Sequence, residues 1–468
     1  MSQYADPRDL ELTPDTHVHL IGVGGSGMQA LAQVLVERGL GVSGSDLRGG
    51  QASAALEAMG ARIHIGHVAD QVEGADLVVV SNAVPPGNVE RARAEALGIP
   101  VILRADLLEL LMAGRRRVLI SGTHGKTTTT SMVTVALQAC GLDPSFAIGG
   151  AISGSTGAHH GTGEVFVAEA DEAFRSFLRL TPDVAVITNL EMDHHDVYAD
   201  LDAYRDAFVQ FLDRRPAGGL AVLCADDPGT AGLVGDVRAP VLTYGTAADA
   251  DVRITGVEVT ADGGSRFELT QDGTPLGTVV VAVPGRHNVL NAAAAVIAAR
   301  EVGGDVAAAT AGMAQFTGAL RRFQRLGRAG GIEVVDDYGH HPTELAATLD
   351  AARQANPDGR VVAVFQPHRY SRTQAIGVDL GRALASADLV VVTDVYAAGE
   401  EPVDGVTGAM VADAASTAGA EVRYLPQLSG LPDAVLELVA PGDLVLTMGA
   451  GDITELGPQL LARLGGAT

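Results

Sequence analysis

The sequence contains a single lysine. Of its 32 basic residues, 31 are arginines, and the exception is Lys126. Basic charge is scarce overall: 57 acidic residues leave a net charge of −25. That excludes the extended basic face on which general nucleic-acid or membrane-surface binding depends. There are only two cysteines, Cys140 and Cys224, both in apolar stretches. They cannot form a disulfide framework and read as buried thiols in a reducing compartment. No apolar run reaches the ~18 residues that span a bilayer. The opening residues, MSQYADPRDLELTPD, are polar and acidic, unlike a secretion signal. The expectation is a cytoplasmic protein with no nucleic-acid or membrane partner. HEXXH, CxxC and EF-hand spacings are missing, so zinc and calcium chemistry are not expected, and no GxSxG elbow marks a serine hydrolase. Repeats of fixed period are absent as well.

What is present is a chain of 468 residues, 47% hydrophobic, long enough for about three domains with well-buried cores. One stretch organises it. Residues 118–120 read as a buried strand that stops at Ser121-Gly122, turns through Thr123-His124-Gly125 and restarts as a helix at Lys126. Such a loop offers backbone N–H groups and the positive end of a helix dipole to a phosphate, with Lys126 adding a full charge and Thr127 a hydroxyl for Mg²⁺. Gly122-x-x-Gly125-Lys126-Thr127 is two residues shorter than the general phosphate-loop pattern. Retention of a lysine where arginine has replaced it everywhere else sharpens the reading, because a compact ammonium fits a phosphate loop and a guanidinium fork does not. Gly122, Thr123, His124, Gly125, Lys126, Thr127 and Thr128 are therefore candidate ATP-binding residues.

Upstream, a strand at 17–23 leads into Gly22-Val-Gly24-Gly25-Ser26-Gly27-Met28 and a helix to Arg38, with a second strand ending at Asp46. From the residues alone this is a dinucleotide fingerprint, with Asp46 on a ribose hydroxyl. The geometry reads pyrophosphate and ribose, not NAD in particular. Further β/α units run to a helix at 105–112, where Ala113-Gly114 is the expected linker, and Arg115-Arg116-Arg117 reads as a solvated edge. Strands at 165–168 and 184–188 end in Glu169-Ala-Asp171-Glu172 and Asn189-Leu-Glu191-Met-Asp193-His194, polar clusters at the strand ends where a nucleotide sits. Glu169 and His194 are the metal candidates, with Thr127. From 252 to 283 the period changes to two, with Asp262-Gly263 and Asp272-Gly273 as turns, predicting antiparallel hairpins. Gly285-Arg286-His287-Asn288 then opens an alanine-rich helix. A third α/β series follows, with polar clusters at Asp336–Pro342 and Gln366–Arg372 suited to a second anion. The expected fold class is α/β in three domains. A Rossmann-like N-terminal domain (1–113) precedes a P-loop central ATPase domain with an antiparallel hairpin insertion (114–321) and a Rossmann-like C-terminal domain (322–468).

The ordered motifs resemble the Mur ligase family over nearly the whole chain. They are HLIGVGGSGM at 19–28, VSGSD at 42–46, SGTHGKTTTT at 121–130, EADE at 169–172, TNLEMDHHDVY at 188–198, GRHNVLN at 285–291, RRF at 321–323, DDYGHHPTE at 336–344, FQPHRYSRT at 365–373, YAAGEEPVDGV at 396–406 and GAGDI at 449–453. The resemblance implies an ATP- and Mg²⁺-dependent ligase that joins L-alanine to the lactyl carboxylate of UDP-N-acetylmuramate through an acyl phosphate, in peptidoglycan precursor synthesis. The amino acid would bind a mobile C-terminal domain, and the enzyme would be a monomer or weak homodimer. It also changes the reading of the first loop: Gly22, Gly24, Gly25, Ser26, Gly27, Met28, Asp46, His67 and Ser81 are implied to hold the uridine diphosphate sugar rather than NAD. His287, Asn288, Asn291, Arg322 and Asp337 are implied on the ATP side. The implied catalytic set is Lys126, His194, His340, Arg369 and Arg372. Two departures stand out. Residues 173–177 read Ala-Phe-Arg-Ser-Phe where many relatives carry a polar Ser-Asp or Tyr-Asp pair. And with its one lysine committed, the chain cannot use the carbamylated lysine by which several related ligases hold a second Mg²⁺. Two alternatives share these motifs: a murein-recycling ligase adding a preformed peptide to the same UDP-sugar, and a nucleotide-binding regulatory protein. The second would be expected to lose Lys126, Glu169 or His194. An oxidoreductase reading rests on the glycine loop alone.

Overall fold

The structure is a computed structural model that describes residues 4–150, 157–194, 197–238 and 240–465. His195 and Asp196 of the 188–198 motif lie outside the described residues. The chain folds into three α/β sheets. It divides into two compact units, Met1–Gly256 with Phe267–Val279 and Leu290–Gln315, and Val257–Arg266 with Val280–Val289 and Phe316–Thr468.

The first sheet is all parallel, in the order Arg62–Ile65, Gly41–Asp46, His17–Ile21, Leu77–Val80, Val101–Leu103. The strand His17–Ile21 is central, and the chain leaves it first to one side and then returns to the other. The crevice beyond its carboxyl end is where such sheets bind ligands. The helix Ser26–Glu37 starts there and buries Leu31, Val34 and Leu35 against the sheet. Continuous apolar strands such as Leu77–Val80, buried on both faces, are what a sheet covered by helices on each side requires.

The second sheet has ten strands. Five parallel ones form its centre, Val241–Gly245, Leu220–Cys224, Val184–Ile187, Arg116–Ser121 and Val165–Glu169. The period-two region becomes three successive neighbours, Val252–Val259, Ser265–Gln271 and Thr274–Val281, the last two joined by the Asp272-Gly273 turn. On the far edge lie Ser145–Ala147 and Ala158–His159, an antiparallel pair too short to show a period in the sequence. Arg115 and Arg117 are not part of a solvated edge. Arg115 donates to the Ser145 hydroxyl at 2.7 Å and the Gly163 and Gly161 carbonyls at 2.8 and 2.9 Å, and Arg117 pairs with Glu109 at 2.8 Å. Only Arg116 of the three is exposed.

The third sheet runs Gln324–Ala329, Ile332–Asp337, Leu444–Met448, Val361–Phe365, Leu389–Val392, Val422–Tyr424. Its first pair is antiparallel and the rest parallel, with an apolar core on each face. The polar edge strand Gln324–Ala329 has a register shift between Arg325 and Gly327, which hides it from a period search. Among the described residues no helix is long and apolar enough to cross a membrane.

Beneath the acidic segment at 169–172 lies an aromatic cluster. Phe208 is fully buried and packs edge-on against Phe177 and Tyr204 at centroid distances of 5.2 and 5.1 Å, while Phe211 stacks on Phe177 at 5.0 Å. Phe177 N–H donates to the Asp171 carbonyl at 3.0 Å, so the cluster holds the segment from below. Phe208→Ala is expected to lower the unfolding free energy by ~3–5 kcal/mol, measured by urea denaturation. A loss below ~1 kcal/mol would mean that the cluster is not a support.

Candidate active site

The phosphate loop is zipped to the segment that follows the neighbouring strand Val184–Ile187. Asn189 accepts from His124 N–H at 2.8 Å and donates to the His124 carbonyl at 3.0 Å, and Thr188 donates to the same carbonyl at 2.6 Å. Thr123 donates to the Glu191 carbonyl at 2.8 Å. Gly122 has a φ of +130°, and a Cβ there would strike the Thr188 hydroxyl, so this close approach excludes any other residue. Asn291 lies beside the loop, its Oδ1 3.1 Å from where a Gly125 Cβ would be.

Lys126 Nζ donates to the Gly122 and Thr123 carbonyls at 2.7 and 3.2 Å and to both oxygens of Glu172 at 2.8 and 2.9 Å. Glu172 is fully buried. Burial works against the ammonium, but Glu172 and Asp171 outweigh it and hold the Lys126 pKa above its ordinary value. His194 Nε2 lies 3.3 Å from the same Glu172 carboxylate. Burial opposes its charge too, and its bond to Glu172 with the charges of Asp193, Glu172 and Asp171 pushes the imidazole pKa up. For Asp171, burial is outweighed by Lys126 and Arg104, which lower the carboxyl.

Asp171, Glu172 and His194 thus gather with one ligand atom each within 4.8 Å of one another. Two carboxylates and an imidazole suit a hard divalent cation such as Mg²⁺. Of the three, only His194 is expected as a metal ligand from the sequence; Asp171 and Glu172 stand there as members of a polar cluster at a strand end. Glu169 instead accepts from Gly149 N–H at 2.8 Å, near enough to Lys126 for its charge to be felt there. Thr127 and Thr128 are buried in the first turn of the helix Lys126–Ala139.

At the glycine loop, both oxygens of Asp46 accept main-chain N–H groups, from Gly24 at 2.9 Å and Arg48 at 3.2 Å. Asp46 is therefore the staple of the loop as well as a candidate ribose ligand. Ser81 abuts Gly22, its Cβ 3.3 Å from where a Gly22 Cβ would be. His67 Nδ1 lies 3.0 Å from the Ser45 hydroxyl and 3.4 Å from the buried Glu90. Gly25 and Ser26 are exposed and Gly27 partly so, but Met28 is 1% exposed and packs in the core. The Met28 side chain is therefore turned away from the loop surface. Only its main chain, in the first helical turn, faces the loop.

In the second compact unit, Asp337 accepts from Phe323 N–H at 2.7 Å and Gly339 N–H at 2.8 Å, and burial pushes its carboxyl up to about 6 despite Arg322. Arg322 lies 3.8 Å from Glu344 and over the Tyr338 ring. His287 is pushed down to about 4 by burial, and Asn288 donates to the Pro284 carbonyl at 2.7 Å. His340 Nδ1 is 3.0 Å from the Tyr338 carbonyl, which assigns it the proton, and its ring meets His368 at 6.1 Å. His368 stacks on Tyr396 at 5.7 Å. Burial, with His340, Arg372 and Arg369 close by, pushes the His368 imidazole down to about 3. Its neutral Nδ1 lies 3.4 Å from an Arg372 nitrogen. Arg369 donates its backbone N–H to Tyr396 at 2.8 Å. Tyr396, in the motif at 396–406, thus positions both His368 and Arg369.

Eight described non-glycine residues have positive φ. Asp272 is in a hairpin turn, where that conformation is ordinary. The other seven, Phe174, Arg175, His194, Arg321, Phe323, Arg369 and Ala398, all fall in or directly after the quoted motifs.

Two glycine loops at strand ends, one carrying a lysine among carboxylates, have the form expected of a nucleotide-dependent enzyme. Three successive family models match: the Mur ligase family catalytic domain over 17–116, the Mur ligase middle domain over 120–299 and the Mur ligase glutamate ligase domain over 321–451. A UDP-N-acetylmuramate–L-alanine ligase of Streptomyces avermitilis is 48% identical over 452 residues, covering 95% of this chain and 97% of its own. The crystal structure of the UDP-N-acetylmuramate–alanine ligase of Thermotoga maritima superposes with a TM-score of 0.81 at 29% identity, over 96% of this chain and 99% of that one. A murein peptide ligase from Psychrobacter arcticus gives 0.72 at 26% identity, over 97% and 99%. The chain belongs to the Mur ligase family, and it is a ligase.

The raised Asp337 carboxyl has a consequence for stability. Between about 6 and 3.8 the folded protein holds a proton there that the unfolded chain does not. This group therefore adds stability as pH falls through that window and loses it as pH rises through about 6. In Asp337→Asn the contribution, at most ~1.4 kcal/mol per pH unit, is expected to vanish, read as the difference in urea-unfolding free energy between pH 4 and 6. An unchanged pH dependence would refute the assignment.

Proposed function

We propose that the chain joins L-alanine to the lactyl carboxylate of UDP-N-acetylmuramate, with ATP converted to ADP and phosphate. The observation that carries this reading is the Lys126 site. A buried ammonium is held at the glycine loop by a bidentate carboxylate, in the position a triphosphate oxygen pair would take. The near-full-length likeness to UDP-N-acetylmuramate–L-alanine ligases supports the choice of substrates. The intact DDYGHHPTE and PHRYSRT segments favour alanine over a preformed peptide.

A carboxylate is a poor electrophile. Its oxygen attacks the γ-phosphorus, ADP leaves, and the acyl phosphate is then attacked by the alanine nitrogen. That nitrogen loses a proton as phosphate departs. Two anions must first approach each other, which is costly unless cations stand between them. Gly122, Thr123, His124, Gly125, Lys126, Thr127 and Thr128 cradle the phosphates, with Asn291 beside them. His287, Asn288, Arg322 and Asp337 serve the adenosine side. A Mg²⁺ ion would supply neutralisation of the charge that develops on the phosphates. Thr127, Glu169 and His194 would hold it, with Asp171 and Glu172 as further oxygen donors. A polyphosphate would compete with Glu172 for the Lys126 ammonium. Gly22, Gly24, Gly25, Ser26, Gly27, the Met28 main chain, Asp46, His67 and Ser81 hold the UDP-sugar, and His340, Arg369 and Arg372 the amino acid and acyl phosphate. The proposed division is 1–113, 114–321 and 322–468, with Arg322 and Asp337 of the last serving ATP. A cytoplasmic monomer or weak homodimer fits them.

The test is phosphate release from ATP and UDP-N-acetylmuramate with no amino acid, with L-alanine, or with the L-Ala-γ-D-Glu-diaminopimelate tripeptide. Release is expected only with L-alanine; release only with the tripeptide would assign the enzyme to murein recycling. Lys126→Arg should lower kcat by at least ~100-fold while the UDP-sugar KM stays within about threefold, since a fork cannot reach two loop carbonyls and a carboxylate as a point charge does. Asp46→Ala should raise the UDP-sugar KM and spare that for ATP. The reverse pattern would remove Asp46 from the site.

A further inference from the structure

Arg104 is the first residue of the helix Arg104–Leu111, which leaves the carboxyl end of the strand Val101–Leu103. This helix is anchored on its far side to the chain that follows Asp171 and Glu172. Asp106 accepts two bonds from Arg179 at 2.8 and 3.1 Å, and Glu109 accepts from Arg117 at 2.8 Å and Thr181 N–H at 3.1 Å. Asp106 also caps the helix start through Leu103 N–H at 3.1 Å. The position of Arg104 is thus set by four neighbours rather than by its own contacts.

Its half-buried side chain lies over the glycine loop. A Cβ built on Gly27 would be 3.0 Å from Arg104 Nη1 and 3.4 Å from its Cδ and Cζ. On the other side its charge reaches Asp171, where it helps hold the carboxyl below its ordinary range. The nearby arginines are all engaged: Arg115 with Ser145 and two carbonyls, Arg117 with Glu109, Arg179 with Asp106. Among the described residues no hydrogen bond or ion pair holds the Arg104 guanidinium. A planar fork of five donors is left open at the first turn of the helix Ser26–Glu37.

We infer that Arg104 binds the diphosphate of the uridine-diphosphate-linked substrate on the loop Gly22–Gly27 and screens it from Asp171 and Glu172. This rests on the proposed reading of that loop as the UDP-sugar site. The loop N–H groups and helix dipole can hold one face of a diphosphate, and Arg104, which also feels the charge of Asp171, stands at the other. A fixed cation between them lets both anionic substrates occupy one compact unit. A Cβ at position 27 would press the fork back by a few tenths of an ångström.

The experiment is calorimetric titration of the full-length protein with UDP alone, and separately with a non-hydrolysable ATP analogue and Mg²⁺. Arg104→Gln is expected to weaken UDP binding about tenfold or more and leave the ATP analogue within about twofold. Arg104→Lys, which keeps the charge and loses the fork, should give a smaller loss. Unchanged UDP affinity in Arg104→Gln overturns the inference. If the wild type itself fails to bind UDP, the reading of the loop falls with it. If Arg104→Gln does not fold, as judged by lost binding of the ATP analogue, Arg104→Lys decides: wild-type UDP affinity in that variant overturns the role of the fork.

Discussion

The contact on which the site depends is the buried pair of Lys126 and Glu172. Neither member could be there alone. A carboxylate with no exposure and an ammonium beside two carbonyls would each face a desolvation cost of several kcal/mol unpaired. Together they fix the phosphate-loop helix to the end of the strand Val165–Glu169, and through Glu172 to His194. Removing one partner of such a pair typically costs ~3–5 kcal/mol, so the phosphate loop is held in shape before any nucleotide arrives. Such a loop is pre-organised. It has only to exchange one anion for another.

That organisation is maintained against local strain. Residues held at positive φ cost of order 1–3 kcal/mol each, and seven of them sit in the site motifs. Their backbone N–H groups show what holds them there. Arg175 donates to the Glu172 carbonyl at 3.0 Å, His194 to Asp193 at 2.7 Å, Phe323 to Asp337 at 2.7 Å, Arg321 to Gln324 at 2.9 Å and Arg369 to Tyr396 at 2.8 Å. In four of the five the anchor belongs to the same group of motifs as the strained residue, and in the fifth, Gln324, it directly follows one. The motifs are therefore partly about each other, not only about ligands. The unusual Ala173-Phe174-Arg175 stretch follows this rule as well: it bends through two left-handed residues and lays Arg175 over the Tyr198 ring, whose hydroxyl donates to the Glu172 carbonyl at 2.7 Å.

Much of this was legible in the sequence where the signal was local. A strand, two glycines, a lysine and a threonine in succession carry their own geometry, and so does the glycine loop before Ser26. The parallel sheets were legible because strands buried on both faces are continuous apolar runs. What could not be read were contacts between distant segments. Glu172 lies 46 residues from Lys126, and nothing near it marks it as the partner rather than Glu169. Arg104 reads as an ordinary helix-start arginine until Gly27 is placed beneath it. The burial of the Met28 side chain could not be read from its motif either, because a motif counts positions, whereas the helix turns every third or fourth side chain into the core. Arg115 and Arg117 were misread as solvated for a similar reason: three like charges in a row suggest water, but the strand sends them to different neighbours.

The solitary lysine has a practical side. A chain with 31 guanidinium groups and one side-chain ammonium carries a unique chemical handle, and that handle stands at the mouth of the phosphate loop. Isotopic labelling of lysine alone would place a single side-chain signal in the spectrum, reporting on Glu172 in the empty protein and on phosphate in the filled one. Amine-directed reagents would find one internal target, shielded when nucleotide is bound.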